Sequence, residues 1–104
     1  MSKPFSFFKS QAANITTGWT KIKTGKDSSL LAFYCTGMDS GGDTIDLQVR
    51  FEEGGAVHTI YQFTESGQRL ANPAGNLAGD FIEFEIRAVL ANAQAGTNAE
   101  LIML

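Results

Sequence analysis

Apolar and polar residues alternate with a period of two along nearly every patterned stretch of the chain. In DFIEFEIRAVL, residues 80–90, Ile82, Phe84, Ile86, Ala88 and Leu90 fall on one side and Glu83, Glu85 and Arg87 on the other. A strand with one face buried and one in water has this pattern. In DTIDLQVRFEEGGAVHTIYQF, Asp43 to Phe63, the alternation runs to Gly54-Gly55 and resumes beyond it, which predicts a hairpin. A two-residue turn at the glycines would set Phe51 against His58 and Leu47 against Gln62, mixing apolar and polar side chains on one face. A three-residue loop, Glu53-Gly54-Gly55, pairs Phe51 with Val57, Val49 with Thr59, Leu47 with Tyr61 and Ile45 with Phe63. The pattern therefore predicts the longer loop, with Gly54 or Gly55 at positive φ. Asp46, Gln48, Arg50 and Glu52 then lie on the outer face with His58, Ile60 and Gln62.

Ser29 to Thr36, SLLAFYCT, is apolar on both sides of the alternation and reads as a central strand. Lys3 to Ser10, Trp19 to Thr24 and Ala99 to Leu104 read as shorter strands, and Glu65 to Ala71 has room for a short helix. Gly-, Asn-, Asp- and Pro-containing clusters separate these segments. The expected fold is all-β: an antiparallel β-sandwich or jelly roll of about seven to eight short strands. At 104 residues the chain is expected to form a single domain, 1–104, in which 1–14 can serve as an extended N-terminal arm.

Composition narrows the function classes. Charged residues make up 18% of the chain, less than is usual for a globular surface, so a neutral surface suited to a partner is expected. The net charge of −3 provides no field to gather phosphates, which argues against nucleic acid as a partner. No segment approaches the roughly 20 apolar residues of a membrane span. The start, MSKPFSFF, lacks the apolar run of a secretory leader, so folding in a cytoplasm is expected. Cys35 is the sole cysteine, which excludes an intrachain disulfide.

Candidate chemistry is sparse. His58, the sole histidine, is placed beside Arg50 with no second ligand or acid partner, and no nucleophile motif accompanies it. Glu83 and Glu85 point the same way from one strand at roughly 6.5–7 Å, which resembles a carboxylate pair but equally describes a wet strand face. Asp39 and Asp43 flank a Gly-Gly pair and read as a tight turn, having too few oxygen ligands for calcium. Trp19, Lys21 and Lys23 share one face and could stack and contact a strand of nucleic acid, but a snorkelling edge strand fits the acidic chain better. Trp19 or Tyr61 could also stack on a sugar. Cys35 reads as core packing. No catalytic, metal-binding or cofactor-binding residue is assigned, and the chain is not expected to be an enzyme.

The two ends are apolar. LIML, Leu101 to Leu104, carries apolar side chains on both strand faces, and Phe5, Phe7 and Phe8 cannot share one face. A second subunit would cover what one small domain leaves open, so a homo-oligomer is expected. The interface candidates are Phe5, Phe7, Phe8, Trp19, Ile60, Leu101, Ile102, Met103 and Leu104. The start MSKPF, the Gly/Ala/Asn-rich loops LANPAGNLAGD and LANAQAGTNAE, and the closing strands GDFIEFEIRAVL and AELIML resemble the small all-β virion proteins of tailed bacteriophages, especially capsid decoration or cement proteins. That resemblance implies a non-enzymatic, trimeric virion protein that decorates or cements a capsid by clamping a major capsid protein. A carbohydrate-binding β-sandwich module using Trp19 or Tyr61 is the alternative.

Overall fold

The computed structural model, which describes residues 5–23, 32–39, 41–67, 69–71 and 83–103, is built of strands. They are β1 (Phe5–Gln11), β2 (Ile15–Thr16), β3 (Thr20–Lys23), β4 (Ala32–Thr36), β5 (Thr44–Arg50), β6 (His58–Phe63), β7 (Arg69–Ala71), β8 (Glu83–Ala91) and β9 (Ala99–Met103). Among the described residues there is no helix. One sheet has the order β1-β9-β4-β7, the other β2-β8-β5-β6, with β3 also paired to β8.

The antiparallel pairings nest. The hairpin β5·β6 is innermost, followed by β4·β7, then β2 and β3 on β8, then β1·β9. This is one long ribbon doubled back on itself, and the further pairs β5·β8 and β4·β9 roll it into two sheets. The fold is an all-β antiparallel sandwich, as the alternating pattern predicted, and the nested strand order gives it jelly-roll topology. Phe8, Phe33, Cys35 and Leu101 from one sheet meet Ile45, Leu47, Val49, Phe63, Phe84, Ile86 and Leu90 from the other in a single core. Each large side chain buried there contributes roughly 1.5–3 kcal/mol.

Four expectations are corrected. The hairpin keeps the pairs Ile45–Phe63 and Leu47–Tyr61 but then bulges, so that Gln48 faces Thr59 and Val49 faces His58. Continued regular pairing would have turned Ile60 toward water. With the bulge, Ile60 packs against the core and the Gln48 amide reaches the Thr59 hydroxyl at 3.3 Å. Pairing of the two strands stops at Val49 and His58, and the connection is closed by a β-turn in which the Gly55 amide donates to the Glu52 carbonyl at 2.9 Å. Gly54 stands third in that turn at φ 78°, as only glycine does cheaply. His58 therefore lies on the Val49 side of the sheet near Phe51, not beside Arg50.

The second correction concerns Glu65 to Ala71, which supplies a turn and then strand β7 rather than a helix. Third, the terminal strand β9 is internal: β1 and β4 flank it, Leu101 is fully buried, and Ile102 on the opposite face is half-buried. Fourth, residues 5–11 form a sheet strand against β9 rather than a free arm, with two bulges, the first between Ser6 and Phe8. That bulge lets Phe8 enter the core while Phe5 meets Phe7 edge-on at 5.1 Å. The loop LANPAGN, residues 70–76, lies largely outside the described residues, as do Ile82 and Leu104.

Candidate interaction surface

Trp19 owes its position to an irregularity in the strand that precedes it. Thr16 pairs with Val89 and Thr20 with Ile86, so four steps on one strand match three on β8. Thr17 absorbs the extra residue: its amide donates to the Ala88 carbonyl at 3.0 Å, and its hydroxyl accepts from the Ala88 amide at 3.0 Å. The hydroxyl stands in for a backbone carbonyl, so β8 keeps both bonds while the chain steps outward. Trp19 then lies on the outer face of the five-stranded sheet, half-buried, with Arg50 and Arg87 stacked on its ring at 4.4 and 4.5 Å from the centroid.

The rest of that face is a cross-strand ladder. Gln62 Nε2 donates to Asp46 Oδ1 at 2.8 Å, Arg87 Nε to Gln48 Oε1 at 2.9 Å, and Arg50 Nε to Glu85 Oε1 at 3.0 Å. Every member comes from an outward position of β5, β6 or β8, where alternation sets side chains side by side. The Arg50–Glu85 pair is only 17% and 22% exposed, so it is held more firmly than an ordinary surface ion pair.

At the hairpin end of this sheet, beyond the last paired residues, Phe51 and Val57 are 46% and 44% exposed. Alternation predicted both inside, but pairing ends before they are reached. Phe51 rests against Phe84 at 6.4 Å between ring centroids, and with Lys21, Glu52, Glu53 and Glu85 these two rings line a shallow cleft. The opposite end of β5 is closed by loops. Asp43, 1% exposed, accepts through Oδ2 from the Asp39 amide at 2.8 Å and the Thr97 hydroxyl at 2.6 Å, while its Oδ1 has no hydrogen-bond partner. Asp39 in turn accepts from the amides of Gly41 and Gly96, both at 2.9 Å. These two carboxylates tie the β4–β5 loop to the β8–β9 loop, and among the described residues no group of three or more His, Cys, Asp or Glu is arranged to hold a metal.

The structure disperses the remaining sequence candidates. Phe8 and Leu101 are buried in the core, and Phe7, Ile60 and Met103 are half-buried against it. Phe5, 41% exposed, and the half-buried Ile102 stay accessible. Tyr61 packs inward, edge-on to Phe63 at 4.9 Å. Cys35 is fully buried, and its thiol meets the Glu65 carbonyl at 3.2 Å. Sequence reasoning grouped Trp19 with Lys21 and Lys23 and placed Arg50 on the outer face of the hairpin, but could not bring Trp19 and Arg50 together, because cross-strand neighbours depend on strand order. These features define an all-β jelly-roll protein whose most elaborated surface is a polar sheet face with an apolar rim. No family model matches the chain, and no curated protein or solved structure does.

Proposed function

We propose that the protein is a non-enzymatic structural component that acts through protein–protein contacts made by the outer face of its five-stranded sheet and the adjoining hairpin tip. The observation that carries this reading is the pairing of a pre-bonded polar ladder with the exposed Phe51 and Val57 at its end. An apolar rim beside ordered polar groups suits a protein partner, because little side-chain freedom is lost on docking. Jelly rolls serve viral capsids and lectins alike, so the fold does not choose between them. The choice of a phage virion, with the protein decorating or cementing the capsid as a trimer, rests on the sequence resemblance. The carbohydrate reading is weaker, since two guanidinium groups already use the Trp19 ring and Tyr61 faces inward.

The test is co-expression of the tagged chain with the virion proteins encoded beside its gene. Capture of a major capsid protein, lost on Phe51→Ser, supports the reading. Failure to capture any of them, together with binding to a polysaccharide, would overturn it.

A further inference from the structure

We propose that Arg50 and Arg87, held against the Trp19 ring, form a receptor for a carboxylate of the partner protein; this rests on the docking reading above and names the chemistry of the contact. Both guanidinium carbons lie within 4.5 Å of one ring centroid, so two permanent cations share one aromatic side chain. Each is oriented from behind through its Nε, Arg50 by Glu85 and Arg87 by the Gln48 amide oxygen. Among the described residues the terminal nitrogens of both have no hydrogen-bond or ion-pair partner. Glu85 balances one charge. Arg87 is bonded to a neutral amide, and among the described residues no acidic side chain forms an ion pair with it.

A planar anion docking on the Arg87 fork beside Trp19 would neutralise that charge and take up parallel N–H donors, the geometry in which arginine and carboxylate match best. The remainder of the face selects for a single, local anion. Asp46 and Glu85 lie on the same face, and the chain as a whole is acidic, so an extended polyanion would be repelled. An acidic sugar would need the ring that the guanidinium groups already cover. An Asp or Glu side chain, or a C-terminal carboxylate, meets neither obstacle.

Trp19 is the sole tryptophan, so its emission reports this site directly. The purified protein is titrated with sodium propionate as a side-chain mimic, with propionamide and sodium chloride at matched ionic strength as controls and glucuronate as a further arm. A saturating change with propionate alone is expected. Arg87→Gln is expected to weaken it about tenfold, the loss of a charged hydrogen-bonding partner. Arg87→Lys keeps the charge but not the fork and is expected to fall between. A melting curve for each variant verifies folding. A propionate response equal to that of chloride, or unchanged in both Arg87 variants, overturns the proposal, as does tighter binding of glucuronate than of propionate. Because no partner is needed, propionate binding without capsid capture would defeat only the virion reading, and capture without propionate binding would defeat only this one.

Discussion

At the scale of single residues, conformation and hydrogen bonding set different costs. Gly54 stands at φ 78° with open space around its missing Cβ, so a side chain there meets strain but no clash. Gly54→Val is expected to lower stability by about 1–2 kcal/mol, the ordinary cost of a left-handed L-residue, read as a shift in the urea midpoint at unchanged slope. Asp43 is a different case, since it is buried and receives two donors from another loop and its own. Asp43→Ala leaves the Asp39 amide and the Thr97 hydroxyl without an acceptor and is expected to cost about 1–3 kcal/mol, measured by the same unfolding curve. The alternation made both residues visible as turn components. Alternation did not reveal that Asp43 reaches Thr97, because that contact joins positions 54 residues apart.

At the scale of elements, the position of a strand within its sheet governs what its side chains are worth. β9 lies between β1 and β4, with Leu101 in the core and Ile102 turned the other way. Leu101→Ala is therefore expected to destabilise by about 2–5 kcal/mol, whereas Ile102→Ser should cost less in thermal unfolding and show its effect in self-association. Equal losses for the two would mean that both faces of β9 are covered within one chain. The pattern of a strand alone cannot separate a strand internal to its sheet from one capped by a second subunit. The bulges at Ile60 and Thr17 were likewise hidden, since each is chosen by what the neighbouring strand presents.

For the whole molecule, the described residues expose the large apolar side chains of Phe5, Phe51 and Val57 and leave Ile102 half-buried, and these are the candidate surfaces for assembly. If the trimer proposal holds, light scattering at high micromolar concentration is expected to give about three times the 11.2 kDa of one chain. Phe51→Ser and Ile102→Ser variants would locate the contact, and a persisting wild-type monomer would remove the trimer. The sequence by itself determined the all-β class, the inner faces of β5 and β8, the turn at Gly54 and the absence of any legible catalytic motif, because these follow from local alternation and backbone preference. Only the tertiary structure decided that the strands nest into a jelly roll, that β9 is internal, that Ile60 turns inward, and that Arg50 and Arg87 meet on Trp19. Each depends on which strands become neighbours, and neighbours are chosen by burying one shared core, a global balance that no short stretch of chain contains.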